Sequence, residues 1–137
     1  MEREREMQCK IGMKAKVAKR ALETLQEIMD EPYSVIIRDA AIQRFEYTFE
    51  AIWKLVKEYL LEREGVICNS PKSCFREAFK MHLINEDESM QALYMTDDRN
   101  MTTHTYHEDV AEEIYKELSG YYALMNKIYT SIVTECL

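Results

Sequence analysis

The sequence predicts an all-α protein, an antiparallel up-and-down bundle of four main helices and one short one, on three observations. Apolar residues recur at steps of three and four over long stretches, the spacing that places them on one face of an α-helix. No stretch shows the apolar–polar alternation of a half-buried strand. Glycine and proline number only 3 and 2, too few for the many turns of a β-sandwich. With 47% hydrophobic residues the chain has apolar surface to bury, which excludes disorder and collagen-like repeats. Its 137 residues, 16.3 kDa, fit one domain over 1–137.

Met7, Ile11, Ala15, Ala18, Leu22, Leu25 and Met29 form the stripe of a first long helix. Asp30-Glu31-Pro32 interrupts it, and Ser34 can cap a second helix by accepting a hydrogen bond from a free backbone N–H. That helix is expected to run to about Glu64, where Gly65 supplies a permissive stop. Ile42, Phe45, Phe49, Ile52, Val56 and Tyr59 make its buried face, widened by Trp53. Ser70-Pro71 starts a short helix carrying Phe75, Ala78, Phe79 and Leu83, because the serine caps and the proline stands where its missing N–H costs nothing. Asn85 with Glu88 makes a capping-box-like start for a fourth helix reaching about Thr102, with Leu93 and Tyr94 on its inner face. After a break at TTHTYHED, a last helix from about Glu108 carries Ala111, Tyr115, Leu118, Tyr122, Met125, Tyr129, Ile132 and Cys136. Gly120 inside it costs about 1 kcal/mol. Helices of 25 to 30 residues, each about 40 Å long, are long for so small a monomer, and a homodimer sharing helix faces is expected.

The net charge of -7 is uneven: residues 1–20 carry +4 and the rest -11. Ten acidic groups lie between Glu86 and Glu117 against Arg99 and Lys116, a balance that argues against a broad basic nucleic-acid face. No apolar run approaches the roughly 18 residues of a membrane span, and no hydrophobic segment follows the charged start MEREREMQCK. Cys9, Cys68, Cys74 and Cys136 form no CxxC pair and have no histidine at ligand spacing. Free thiols in a reducing cytoplasm, with no metal and no cofactor, are the expectation, and a zinc site is the alternative.

The residues richest in chemistry stand at the break before the last helix: Asp97-Asp98-Arg99-Asn100-Met101-Thr102-Thr103-His104-Thr105-Tyr106. A permanent cation, an imidazole and a phenol within eight residues suit phosphodiester cleavage. Arg99 would hold phosphate oxygens and steady the charged transition state, and His104 would move protons at neutral pH. RNA brings its own nucleophile, the 2′-hydroxyl, so neither a metal nor a protein nucleophile is required. On an ideal helix Arg99 and His104 point about 140° apart, so only a helix end at Thr102–Thr105, or residues of a dimer partner, would bring them together. On spacing alone the alternative stands that Arg99 pairs with Asp98 or another acid, that His104 caps a bend, and that Tyr106 packs like the other tyrosines.

Arg99 to Tyr106 resembles the R-x4-H-x-Y signature of the HepT-like branch of the HEPN superfamily (higher eukaryotes and prokaryotes nucleotide-binding). The likeness extends to Ile42-Gln43-Arg44-Phe45-Glu46-Tyr47-Thr48-Phe49-Glu50 with Trp53 and Lys54, and to Ser70-Pro71 leading into Arg76-Glu77-Ala78-Phe79-Lys80. It covers about 100 residues from near Ala40 onward, whereas residues 1–35 match only in helical character. The resemblance implies a HEPN-like all-α bundle that dimerises, with paired motifs lining a cleft, and a minimal nucleotidyltransferase as partner. In one description such proteins are metal-independent ribonuclease toxins, silenced when the nucleotidyltransferase adds AMP to the motif tyrosine. That would make Arg99 and His104 catalytic, Asn100 supporting and Tyr106 the modification site. In the other they are non-catalytic substrate- or nucleotide-binding subunits of the nucleotidyltransferase.

A nucleotide on Tyr106, two residues beyond His104, would block such a cleft and repel phosphate. The acidic groups Glu86, Asp87, Glu88, Asp97, Asp98, Glu108, Asp109, Glu112 and Glu113 around the motif would repel an RNA backbone unless other helices supply cations. Arg44, Arg76 and Lys80 are candidates for cleft or phosphate binding, and Lys10, Lys14, Lys16, Lys19 and Arg20 form a basic arm; the alternative is a solvated face with ordinary ion pairs. The acidic residues would equally suit docking of a basic patch on the nucleotidyltransferase. His82 and His107 are expected to be structural or solvent-facing.

Overall fold

The computed structural model describes residues 2–136, and the side chains of these apart from residues 3–9, so that Met7 and Cys9 lie outside the described side chains. The helices are α1 (Glu2–Met29), α2 (Val35–Glu64), α3 (Pro71–Lys80), α4 (Glu86–Met101) and α5 (Glu108–Cys136), with a single 3-10 turn at Thr102–His104 between the last two. No strand occurs among the described residues. The three long helices α1, α2 and α5 pack on one another, and the short α3 and α4 form a second hairpin against α2 and α5. The fold is the all-helical up-and-down bundle that the apolar spacing predicts.

Helices α2, α3 and α4 begin where local side chains satisfy free N–H groups. The Ser34 hydroxyl accepts from the Ile37 N–H, and Gly65 at φ 65° closes α2 in the left-handed region. Ser70 and Ser73 form a reciprocal capping box with Pro71 in the first turn of α3, and Asn85 and Glu88 do the same for α4. His82, the one non-glycine residue at positive φ among those described, ends α3: its N–H reaches the Phe79 carbonyl and the Leu83 N–H reaches that of Ala78, a Schellman arrangement. His82 is therefore structural.

Ile42, Phe45, Phe49, Ile52, Val56 and Tyr59 are all buried, as are Ile11, Ala15, Ala18, Leu22 and Leu25 of α1. Ile28 is buried deeper than Met29. On α5 the buried face is wider than its single stripe, adding Ile114, Tyr121, Leu124 and Ile128, while Tyr115, Tyr122 and Tyr129 are half-buried. The reason is that α5 touches α1, α2 and α4 at once. Two inward expectations are corrected. Phe79 is 40% exposed, because α3 buries only the narrow face of Cys74, Phe75 and Ala78, and Ile84 beyond the helix fills the space. Tyr94 is 62% exposed and Leu93 half-buried, because α4 turns Ser89, Ala92, Met95 and Thr96 inward; the Thr96 hydroxyl is satisfied by the Ala92 carbonyl at 2.8 Å.

The free-thiol expectation also fails for two residues. Cys68 and Cys74 form a disulfide across the α2–α3 connection, where the first turn of α3 brings their Cα atoms to 5.3 Å; Cys136 is free and buried.

Arg38, in the first turn of α2, is a buried cation at the centre of a carboxylate cluster. Its guanidinium donates to Asp39 at 3.0 Å, Glu108 at 2.6 Å and Glu112 at 2.8 Å, and the Tyr33 hydroxyl donates to Glu112 as well. The start of α2 is thereby tied to the start of α5. The Arg38 hydrogen bond holds the Glu108 carboxyl below its ordinary range; those of Tyr33 and Arg38 do so for Glu112.

Two outcomes are expected. Arg38→Met lowers stability by about 1–3 kcal/mol in denaturant titration, less than an unpaired buried charge costs, since the abandoned carboxylates reach water. Because both glutamates titrate lower when folded, their contribution is complete above the ordinary value of about 4.3 and is lost as pH falls through the folded values. The acid-side decline in stability is therefore shallower in Arg38→Met than in the native chain. Conversely, His82→Gly relieves the left-handed backbone and raises stability by about 1 kcal/mol, or about 3 °C in Tm by calorimetry.

Candidate functional site

The turn between α4 and α5 is made by threonines. At the end of α4 the Thr102 hydroxyl donates to the Arg99 carbonyl at 2.7 Å, Thr103 to that of Asn100 at 3.4 Å and Thr105 to that of Thr102 at 3.2 Å. These hydroxyls take up carbonyls that a continuing helix would have used, and the chain tightens into the 3-10 turn. The His107 N–H closes the turn on the His104 carbonyl, and α5 begins at Glu108.

Arg99 points back toward α2. Its Nη1 donates to the Thr102 Oγ1 at 3.1 Å, its Nη2 lies 3.7 Å from the Glu50 carboxylate, and its Nε is buried without a hydrogen-bond partner. Glu50 is held in turn by the Trp53 indole N–H at 3.0 Å. Gln43, Glu46, Tyr47 and Glu50 complete a shallow recess of about 260 Å³ beside Arg99. The guanidinium is thus anchored at one edge and loosely countered at the other, a state in which a phosphate could replace the Glu50 contact.

His104 and Tyr106 point outward. The His104 Nδ1 lies 3.3 Å from the Tyr106 hydroxyl, the two rings meet edge to face at 5.9 Å, and Tyr106 leans on His107 at 4.3 Å. Tyr106 is 72% exposed and does not pack in the core. The helix end expected at Thr102–Thr105 is present and puts Arg99 and His104 on one turn, yet no hydrogen bond joins them among the described residues. Asn100 is exposed beside them.

The other sequence candidates do not gather here. Arg44 donates from Nη1 to the Thr24 main-chain carbonyl at 2.7 Å, clamping α2 to α1. Arg76 is exposed on α3, and Lys80 is 3.3 Å from Glu77 on the same helix. Arg99 does not pair with Asp98, which instead accepts from the buried Tyr121 hydroxyl at 2.5 Å; burial, then Asp98, raises the Tyr121 pKa well above the phenol range. Of the acids around the motif, Glu88 pairs with Lys127, Asp97 with Lys72 at 2.6 Å, and Glu108 and Glu112 with Arg38, so much of the expected repulsion is neutralised internally. Sequence reasoning did not single out Arg38 and gave Glu50 and the Thr102 hydroxyl no contact with Arg99. Their roles come from contacts across helices or at a helix end, and nothing local separates Glu50 from the other acids.

A family model described as nucleotidyltransferase substrate binding protein like matches residues 14–134. The chain belongs to this family. The match reaches into α1, well before Ala40, so most of the first helix is part of the family pattern and not helical in character alone. A protein of Thermus thermophilus, known from its crystal structure, is 46% identical with a TM-score of 0.81 over 84% of this chain and 98% of its own. HI0074 of Haemophilus influenzae, described as showing the fold of a substrate binding domain of a nucleotidyltransferase, is 19% identical with a TM-score of 0.68, over 86% of this chain and 98% of its own. That likeness is one of fold. The probable ribonuclease HepT of Haemophilus influenzae (strain ATCC 51907 / DSM 11121 / KW20 / Rd) is 32% identical over 85 residues, 59% of this chain. The chain thus spans 57% of the length of that relative. No helix among the described residues is long and apolar enough to cross a membrane.

Thr102 both ends α4 and holds Arg99. Thr102→Val keeps the shape and the backbone N–H to the Arg99 carbonyl but removes the hydroxyl that Arg99 Nη1 donates to; a loss of about 1 kcal/mol is expected in urea unfolding.

Proposed function

We propose that this protein is the toxin of a toxin–antitoxin pair, a metal-independent HEPN-type ribonuclease that a partner minimal nucleotidyltransferase silences by adding AMP to Tyr106. The observation that carries the reading is the pairing of an exposed phenol with an exposed imidazole, Tyr106 Oη to His104 Nδ1 at 3.3 Å. Whatever is attached to that oxygen covers the proton-transfer group. The 32% identity to a probable ribonuclease supports the same reading.

In the cleavage step the RNA 2′-oxygen attacks the adjacent phosphorus, and the bond from phosphorus to the 5′-oxygen breaks. The 2′-hydroxyl proton leaves through His104, a proton is returned to the departing 5′-oxygen, and the products are a 2′,3′-cyclic phosphate and a 5′-hydroxyl. Arg99 meets the charge that grows on the phosphoryl oxygens, exchanging its 3.7 Å contact with Glu50 for them. Asn100, exposed on the same turn, supports the phosphate. In a homodimer the motifs of two protomers face one cleft and supply the convergence that one turn lacks. In the silencing step the Tyr106 oxygen attacks the α-phosphorus of ATP, losing its proton and expelling pyrophosphate. The attached group adds negative charge beside His104.

A second reading, a non-catalytic substrate- or nucleotide-binding subunit of the nucleotidyltransferase, is favoured by the family description and by the carboxylate already countering Arg99. One experiment separates the two. Protein shown by intact mass to carry no nucleotide is incubated with labelled RNA in chelator, beside Arg99→Ala and His104→Ala. Cleavage leaving cyclic-phosphate ends, reduced at least 100-fold in both folded variants, is expected. An inert native protein whose variants lose nucleotide or partner binding overturns the ribonuclease in favour of the subunit.

A further inference from the structure

The recess beside Arg99 has Tyr47 in its wall. The same ring forms one wall of a wider groove of about 480 Å³ between α1 and α2, whose other lining residues are Lys16, Val17, Arg20, Ala21 and Thr24. Tyr47 therefore stands between the recess at the guanidinium and a groove on the basic segment of α1, the one residue that lines both.

The Tyr47 ring is almost half exposed and held in place. Thr24 spends its single hydroxyl proton on the Ala21 carbonyl at 2.8 Å, so in the 2.6 Å contact between Thr24 and Tyr47 the phenol is the donor. The Thr24 main-chain carbonyl is fixed by Arg44. Val17 beside it is 61% exposed, giving the groove an apolar floor. Lys16 and Arg20 stand one helical turn apart, about 6 Å along the α1 axis. Neither takes part in an ion pair among the described residues, unlike Lys54, Lys72, Lys80, Lys116 and Lys127. An oriented aromatic face flanked by such cations and beside a second cationic site is the composition of a single-stranded nucleic-acid path: bases stack on the ring, and phosphates meet the cations. A second copy of the chain fits the groove less well, because a two-fold contact through this face would oppose Lys16 and Arg20 to their own copies.

We propose that an RNA strand held at Arg99 runs on across Tyr47 into the α1–α2 groove, where one base stacks on Tyr47 over Val17 and neighbouring phosphates are held by Lys16 and Arg20. The inference rests on the reading that Arg99 holds an RNA phosphate, and it adds the substrate class: a single strand several nucleotides long.

The test is fluorescence anisotropy with the full chain in chelator, using a labelled single-stranded 2′-O-methyl RNA octanucleotide and a labelled 2′-O-methyl dinucleotide, which have no 2′-hydroxyl to attack, at several salt concentrations. Tyr47→Leu is expected to weaken the octanucleotide about 10-fold, and Tyr47→Phe, which keeps the stacking face, less than about 2-fold. The double variant K16Q/R20Q should flatten the slope of log affinity against log salt by about 1.4, the value for two phosphates on a single strand. Dinucleotide binding, confined to the Arg99 end, should be unchanged in K16Q/R20Q and lost in Arg99→Ala. Lys16 and Arg20 are exposed, so the double variant tests the path even if Tyr47→Leu unfolds. Octanucleotide affinity that falls in Arg99→Ala but stays native in the Tyr47 and Lys16/Arg20 variants overturns the path and leaves the reading of Arg99 standing. A native protein that binds neither RNA overturns both. Loss of affinity that tracks a change in oligomeric state by light scattering assigns the groove to a subunit interface and overturns the path.

Discussion

The position of the motif depends on Arg38. Its buried guanidinium gathers Glu108 and Glu112 from the first two turns of α5 onto the first turn of α2, so the start of the last helix is fixed to the longest helix of the bundle. The same acids are favourable at a helix N-terminus, where backbone N–H groups are unpaired, and the cluster therefore satisfies two demands with one set of charges. On the other side of the turn, the threonine hydroxyls end α4 at Met101. The segment from Thr102 to His107 has no freedom to slide in either direction, and this is why an exposed imidazole and phenol can keep a defined separation on so short a connection.

That arrangement divides the site into an inner half and an outer half. Arg99 belongs to the inner half, bonded to Thr102 and faced by Glu50, whereas His104 and Tyr106 belong to the outer half. A guanidinium with one donor buried and unpaired, and another 3.7 Å from its carboxylate, is not at its electrostatic optimum. A phosphate with two free oxygens improves on that situation, and a neutral ligand does not. A preference for a phosphorylated ligand would therefore follow from what surrounds Arg99 and not from its charge alone.

What the sequence made legible was what neighbours in the chain decide. Ser34, Ser70, Asn85 with Glu88, and Gly65 act within four residues of themselves, and each stands where a cap was expected. The stripe of α2 was equally plain, because a helix wedged between α1, α3 and α5 needs large apolar residues along its length. The inner face of α4 was not, since Ser89, Ala92 and Thr96 owe their burial to close approach of other helices and not to hydrophobicity. Nothing in the sequence singles out Arg38, because its partners Glu108 and Glu112 lie about 70 residues away. The Cys68–Cys74 pairing depends on how the α2–α3 connection folds back on itself. For the site, the turn and its residue types were legible, while the partners of Arg99 and the diversion of Arg44 to Thr24 were matters of three-dimensional packing.

Net charge is a poor guide to the ligands of such a chain. At -7 the whole molecule repels polyanions, yet screening confines that repulsion to about 8 Å at physiological salt, so the local arrangement decides. Four acids near the motif are spent on Arg38, Lys72 and Lys127. Asp87, Glu117 and Glu113, the last paired with Lys116, gather with Asp97 and Asp98 along a groove between α4 and α5. Lys16 and Arg20, without ion pairs among the described residues, line a different groove, between α1 and α2. A chain that sorts its charges in this way can present one face to a polyanion and another to a basic protein. A phosphate-bearing group on Tyr106 would add negative charge at the turn from which both α4 and α5 depart. It would weaken the hold on a polyanion there without disturbing the buried contacts that keep the bundle folded.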